Sequence, residues 1–117
     1  MPDTIPRGTV VLVPFPFTDL SSEKLRPAVV ISNELVQEKD VCVAFITSQL
    51  PAVIPADGIL IKEDNEDFPS TGLKTSSIIR TNKIATLDRK VVLGMLGNLS
   101  PKLVRELNKK LICSLGS

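Results

Sequence analysis

Short apolar runs rich in β-branched residues, separated by turn residues, make up most of the chain. They lie at residues 9–13, 28–31, 41–48, 58–62, 77–81 and 84–87. This composition is typical of strands that are buried on both faces of a sheet. Between the first two runs, Pro14, Pro16 and Pro27 are expected to interrupt regular hydrogen bonding, so residues 14–27 are predicted to form a long polar loop. Residues 88–90 are predicted to form a turn.

The pattern changes to a helical period near the C-terminus. Ser100 can cap the free amides of a helix, and Pro101 suits the first helical position because it has no amide to satisfy. One side of the helical wheel is apolar and is formed by Leu103, Val104, Leu107, Leu111 and Leu115. The opposite side is basic and is formed by Lys102, Arg105, Lys109 and Lys110. We therefore predict a mostly β fold, a small and strongly bent SH3-like barrel, with one C-terminal amphipathic helix that covers the sheet.

Composition narrows the class of protein. A chain of 117 residues with 43% apolar and 23% charged residues is expected to form a single domain over residues 1–117, without a membrane span. The N-terminus has no basic leader followed by an apolar stretch, so a cytoplasmic location is expected. The chain has no histidine, which excludes Ser-His-Asp and Cys-His catalysis and nucleases that use a histidine pair. Two cysteines without a CxxC motif argue against a zinc site.

Charge is distributed unevenly along the chain although the net charge is only +1. Residues 1–33 have a net charge of 0, residues 34–67 have −6, and residues 68–117 have +7. This distribution permits a basic surface that attracts phosphates, although charges spread over a solvated surface would have the same pattern.

Two positions carry candidate chemistry. Arg26 lies where the polar loop enters an apolar strand, and Thr47 ends the strand run and is followed by Ser48 and Gln49. From position alone, a rim salt bridge or a surface arginine is the simpler explanation of Arg26, and an ordinary strand end is the simpler explanation of Thr47.

Four segments, in this order and spacing, point to one family. They are RGTVVLVPFPFTD, LRPAVVIS, VAFITSQ and SSIIRTNKIATLD. Together they resemble the MazF/PemK toxins, the endoribonucleases of bacterial type II toxin–antitoxin pairs. The resemblance covers nearly the whole chain. It implies a barrel of the MazF/CcdB type that dimerises and cuts single-stranded RNA such as mRNA without a metal or other cofactor.

The resemblance assigns Arg26 and Thr47 to the family's catalytic arginine and threonine positions. A metal-free ribonuclease uses the 2′-OH of the RNA as nucleophile, so the protein must orient the nucleotide, move protons and stabilise charge on phosphate oxygens. The planar fork of an arginine suits the third task. Thr47 is expected to hydrogen-bond a phosphate oxygen or the 2′-OH. Asp19 and Glu23 are alternative proton acceptors, although a merely solvated position in the loop is the simpler explanation of both.

Further residues are predicted to bind the substrate. The resemblance places a serine near the cleft at Ser77, and Phe17 is a candidate for stacking on a base. The predicted substrate-binding residues are Phe17, Ser48, Gln49, Ser77, Arg80 and Lys83. In a dimer, Lys74, Arg80, Lys83 and Arg89 are expected to line a basic groove between the subunits.

The resemblance also implies partners. These are single-stranded RNA, a cognate antitoxin whose flexible segment occupies the cleft, and a second copy of the chain. DNA would be contacted only indirectly, through the antitoxin, and no membrane is involved. Two alternatives remain open: a CcdB-like toxin that binds a topoisomerase without chemistry of its own, and an inactive RNA- or protein-binding module of the same fold.

Overall fold

Six antiparallel strands form one sheet, and a C-terminal helix packs on one of its faces. The computed structural model describes residues 5–15, 24–32, 40–56 and 58–114. The elements are β1 (Thr9–Phe15), β2 (Lys24–Val30), β3 (Asp40–Thr47), β4 (Gly58–Ile61), α1 (Phe68–Thr71), β5 (Ser77–Asp88), β6 (Gly94–Asn98) and α2 (Pro101–Ser114). The strand order is β4-β5-β3-β2-β1-β6, and the sheet curls into a half-barrel. The predicted fold class is confirmed.

Alternating side chains of the central strands fill two apolar cores, one on each face of the sheet. Val10 and Val29 belong to the core beneath α2, while Val11 and Ala28 belong to the core on the opposite face. Because successive side chains of a strand point to opposite faces, continuous apolar runs are required when both faces are covered. The continuous runs of the sequence therefore have a direct structural explanation.

Two bulges bend the sheet. Ala44 of β3 pairs with Ile84 of β5, but the next residue, Phe45, pairs with Arg80, so residues 81–83 have no counterpart in β3. Between β1 and β6, Val10 pairs with Gly97 and Val11 with Met95, which leaves Leu96 without a counterpart. Bulges increase local twist and re-aim side chains.

The prolines interrupt the chain less than predicted. β1 continues through Pro14, which pairs with Leu25, and β2 includes Pro27, which pairs with Leu12. The β2–β3 pairs begin only at Ala28, so Pro27 needs no amide toward β3. A proline is tolerated in a strand where no partner requires its N–H. The predicted loop over residues 14–27 is therefore wrong at both ends, and its remaining part, residues 16–23, lies outside the described residues.

Three further differences concern the second half of the chain. The runs at 77–81 and 84–87 belong to one strand, β5, because the bulge bends the strand without ending it. β6 is not predicted by the sequence pattern, since its sequence GMLGN has two glycines and no β-branched residue. The short helix α1 is not predicted either, because it lies within a segment whose composition indicates only turns.

The predicted turn at 88–90 is a single 3-10 turn over Arg89–Val91, in which the Asp88 carboxylate accepts a hydrogen bond from the Lys90 amide at 2.9 Å.

The C-terminal helix agrees with the prediction. The Ser100 hydroxyl accepts a hydrogen bond from the Leu103 amide at 3.2 Å, and Leu103, Leu107 and Leu111 are buried against the sheet. Leu115 lies outside the described residues. At its far end α2 is tied to the β3–β4 connection, because Lys110 Nζ donates to the Ala56 carbonyl at 2.6 Å. No helix in the described part of the chain is long and apolar enough to cross a membrane.

Candidate functional site

Most of the predicted site residues line one cleft. It has a volume of about 690 Å³ and lies where β2, β3 and β5 meet the segment after α1. Its lining includes seven of the eight predicted site residues: Arg26, Thr47, Ser48, Gln49, Ser77, Arg80 and Lys83. The eighth, Phe17, lies outside the described residues.

Strand register brings Arg26 and Thr47 to the same part of the cleft. The β2–β3 pairs end with Ala28 opposite Phe45, and Arg26 and Thr47, each two residues beyond that pair, both line the cleft. Residues two apart on a strand share a face, so Arg26, Thr47 and Phe45 face the same side of the sheet. Arg26 is exposed, and its guanidinium is therefore accessible to a ligand in the cleft.

The Thr47 hydroxyl is held at the end of β3. Thr47 is half-buried, and its Oγ1 accepts a hydrogen bond from the Gln49 amide at 3.1 Å. This turn fixes the path of Ser48 and Gln49 along the cleft. A hydroxyl that accepts one bond still has its proton to donate. Thr47 can therefore donate to an oxygen of a bound ligand.

Ser77 has a different environment. Its side chain is buried, and its Oγ donates to the Thr75 carbonyl at 2.9 Å. Its proton is thus used to hold the segment that precedes β5. Ser77 shapes the wall of the cleft, and its oxygen keeps only acceptor capacity toward a ligand.

The electrostatic character of the cleft is cationic. Arg26, Lys74, Arg80 and Lys83 line it, and its lining among the described residues includes no aspartate or glutamate. Arg80 Nε is buried and has no hydrogen-bond partner in the described part of the chain. A cleft with charges of one sign concentrates ligands of the opposite sign. Arg89, grouped with these cations from sequence, does not line the cleft and begins the turn after β5.

The cleft also has an apolar wall, which the sequence pattern did not predict. It is formed by Leu12, Leu25, Phe45, Ile46, Leu73 and Leu96. Two of these residues could have been found from the sequence because they are close to predicted site residues. Leu25 precedes Arg26, and Phe45 lies two residues before Thr47. Leu73 and Leu96 are distant in sequence, and only the contact between α1 and β6 brings them together.

Two glycines make that contact close. Gly72 ends α1 in the left-handed region with φ of 74°, and a Cβ there would overlap the backbone of Leu96. A Cβ at Gly97 would overlap the backbone of Ser70 and Thr71. Thr71 is fully buried, and its Oγ1 donates to the Phe68 carbonyl at 2.6 Å. This packing holds the end of α1 and Gly72 against β6, just before the segment with Lys74.

The side chains of the cleft are poorly suited to a metal ion. Cations repel metals, and hydroxyl and amide groups alone are weak ligands compared with carboxylates, imidazoles and thiolates. Over the described residues, no group of three or more Cys, Asp or Glu side chains is placed to hold a metal.

Comparison with known structures supports the fold. An endoribonuclease from a Mycobacterial species, solved in complex with its cognate antitoxin, superposes with a TM-score of 0.73 at 18% identity over 96% of this chain and 95% of that one. The Mycobacterium tuberculosis toxin MazF-mt6 gives 0.72 at 16% identity over 92% and 95% of the two chains. A MazE–MazF structure from Deinococcus radiodurans gives 0.72 at 17% identity over 97% and 96%.

Sequence comparison supplies the family. No curated protein sequence matches the chain significantly. The profile of the PemK-like, MazF-like toxins of type II toxin–antitoxin systems matches residues 6–115, which is almost the whole chain. The protein therefore belongs to the PemK-like, MazF-like toxin family of type II toxin–antitoxin systems.

Proposed function

We propose that this toxin is a metal-independent, sequence-specific endoribonuclease that cleaves single-stranded mRNA in the cytoplasm. In this reaction the 2′-OH of one nucleotide attacks the adjacent phosphorus, and the P–O5′ bond breaks. Arg26 stabilises the charge on the phosphate oxygens, and Thr47 donates a hydrogen bond to a phosphate oxygen or to the 2′-oxygen. Ser48, Gln49, Arg80 and Lys83 hold the nucleotides on either side.

The placement of Arg26 and Thr47 in one cationic cleft is the observation that carries the proposal. The four cations fit a polyanion, and the apolar wall fits unstacked bases, which single-stranded RNA exposes and a duplex does not. Two solved structures of the same fold are described as endoribonucleases. The chemistry needs no metal because the nucleophile belongs to the RNA itself.

A direct experiment is to incubate the purified toxin with a long RNA in EDTA and to map the new RNA ends. We expect cleavage at a limited set of sequences at the same rate with and without EDTA. The Arg26→Ala variant, purified identically, controls for a contaminating nuclease. Loss of cleavage in EDTA would contradict metal independence. Absence of cleavage across varied RNAs under all conditions would leave the topoisomerase-binding and inactive binding alternatives.

The cleft also suits an antitoxin segment. A cleft that combines cations with an apolar wall matches an extended acidic peptide with a few apolar anchors that folds as it binds. We propose that the cognate antitoxin and RNA compete for this cleft. RNA binding by Arg26→Ala should therefore weaken as antitoxin is added, and simultaneous binding without mutual weakening would contradict direct occlusion.

A further inference from the structure

The basic face of α2 has no part in the cleft. Lys102, Arg105 and Lys109 are exposed on this helix, and their spacing of three and four residues places them in one row. A rise of about 1.5 Å per residue separates Lys102 from Lys109 by about 10 Å along the helix axis. None of the three side chains forms an ion pair with another residue that the structure describes. The face is therefore a row of cations whose charge is not neutralised locally.

These cations do not stabilise the helix that carries them. Lys102 lies in the first turn of α2, where the helix dipole disfavours a positive charge and where no acidic residue is present. Arg105 and Lys109 are four residues apart and repel each other. Glu106 follows Lys102 by four residues, which is the weaker order for an ion pair on a helix. Charges that oppose local stability are expected where a surface has a function of its own.

The fold links this end of the molecule to the cleft through the β3–β4 connection. The connection begins beside Thr47 with Gln49, which lines the cleft. Near its other end it reaches α2, because Lys110 Nζ donates to the Ala56 carbonyl at 2.6 Å. Lys110 is the neighbour of Lys109 in sequence. A strand that leaves the cleft past Gln49 can therefore follow the connection to α2.

The surface along this connection is compatible with a single strand of RNA. Residues 48–56 include no charged residue. The exposed apolar side chains of the connection are Leu50, Val53 and Ile54. Such side chains favour contact with the faces of unstacked bases. Glu63 and Asp64 outnumber Lys62 in the described lining of a depression beside Leu50, and these carboxylates repel phosphates. The charges thus favour the path toward α2.

We propose that the basic face of α2 is a second RNA-binding surface, which holds the strand outside the cleft, and this inference rests on the proposed endoribonuclease function. Its ligand is the phosphate backbone of single-stranded RNA, bound without regard to sequence. The apolar side chains of α2 that the structure describes after Pro101 are not exposed. The face therefore has no place for the apolar anchors of a peptide, whereas a row of phosphates needs only cations.

The experiment compares two RNAs that contain one copy of the mapped cleavage site. The short RNA ends close to the site, and the long RNA has unstructured flanks that lack the site. A 2′-deoxy nucleotide at the site removes the nucleophile, so that affinity can be measured without cleavage. Each phosphate contact contributes about 0.7 to the slope of log affinity against log salt for single strands. In the triple variant Lys102→Gln, Arg105→Gln, Lys109→Gln, the slope for the long RNA should fall by about 2. The slope and the cleavage rate for the short RNA should stay unchanged.

Single variants provide the matched control. Lys109→Gln should lower the slope for the long RNA by about 0.7. Lys90→Gln also removes one exposed lysine charge, in the turn after β5, and it should leave the slope unchanged. Glutamine has nearly the helix propensity of lysine and arginine, so the variants in α2 should retain the wild-type melting temperature.

The outcomes are distinct. An unchanged slope for the long RNA in the triple variant, or equal decreases for the short and the long RNA, would overturn the second surface while leaving the endoribonuclease proposal intact. If the triple variant loses affinity for the purified antitoxin but not for the long RNA, the face binds the antitoxin and the inference is wrong. A wild-type protein that cleaves neither RNA would instead overturn the proposed function.

Discussion

Arg26 has the main electrostatic role in the proposed reaction. It stabilises the negative charge that accumulates on the phosphate oxygens as the bond to phosphorus forms. Its side chain is exposed within β2, so it is accessible to a ligand and the fold contains no buried ion pair at this position. Lys74 and Lys83 contribute charge to the same cleft, but an ammonium group cannot replace its two parallel N–H groups. The guanidinium geometry is therefore as important as its charge.

For Arg26→Ala we expect a loss of cleavage on the order of 10²–10³-fold, as for other electrostatic stabilisers of a transition state. Arg26→Lys should recover only part of the rate because it loses the bidentate fork. Single-turnover cleavage of a defined RNA measures both effects, with circular dichroism to show that the fold is intact. Near-wild-type cleavage by Arg26→Ala would remove the central assignment.

Thr47→Val retains the shape of the side chain and removes its hydroxyl. Cleavage should decrease, since the proton available for a ligand oxygen is lost. The free energy of unfolding should change by only about 1 kcal/mol, the usual net value of one exposed hydrogen bond such as that from the Gln49 amide. Thr47→Ser provides the matched control because it keeps the hydroxyl. If Thr47→Val unfolds the protein, the residue has a structural role instead.

At the scale of elements, the contact between α1 and β6 determines the shape of the apolar wall. Gly72 and Gly97 permit backbones to approach more closely than any side chain would allow. The two elements are separated by the whole of β5 in sequence. The apolar wall of the cleft therefore depends on the close contact between α1 and β6 rather than on a continuous strand.

Gly97→Ala should separate α1 from β6 and lower the free energy of unfolding by about 1–3 kcal/mol, as overpacking does. Gly94→Ala is the matched control on the same strand, because a Cβ there would lie 3.7 Å from Leu12 Cδ1, an ordinary contact. Urea unfolding of the two variants measures the difference. Equal stability of both would show that α1 adapts without cost.

At the scale of the whole molecule, the sheet formed by the described residues has β4 and β6 as its two edge strands. β6 carries Met95 at 48% exposure, and Leu93 just before it is 58% exposed. Open edges and exposed apolar side chains are commonly covered by a partner. The family resemblance makes a second copy of the chain the natural partner.

We expect a homodimer at micromolar concentration. Sedimentation equilibrium measures the mass directly. Met95→Lys should weaken the dimer if β6 takes part, because it places a charge on that edge, whereas Lys102→Met on the exposed face of α2 should leave the mass unchanged. A monomer across the micromolar range would contradict the prediction.

The sequence alone determined the features that depend on local chemistry. Periodicity and the Ser100–Pro101 start specified α2, and the runs of β-branched residues specified the strands near the centre of the sheet. The resemblance carried by the segments LRPAVVIS and VAFITSQ assigned Arg26 and Thr47 to the site, and both residues line the cleft. The absence of histidine restricted the reaction chemistry through composition alone, because a missing side chain cannot be supplied by any fold.

Only the tertiary structure decided features that depend on distant neighbours. Pro14 and Pro27 remain in strands because the adjacent strand does not require their amides, which no local pattern reveals. The bulge at residues 81–83 joins two predicted strands into one and carries Lys83 into the cleft. β6 forms from a glycine-rich segment because β1 and α1 pack against it. Pairing and packing between distant segments are cooperative, so their free energy is absent from any short window of sequence.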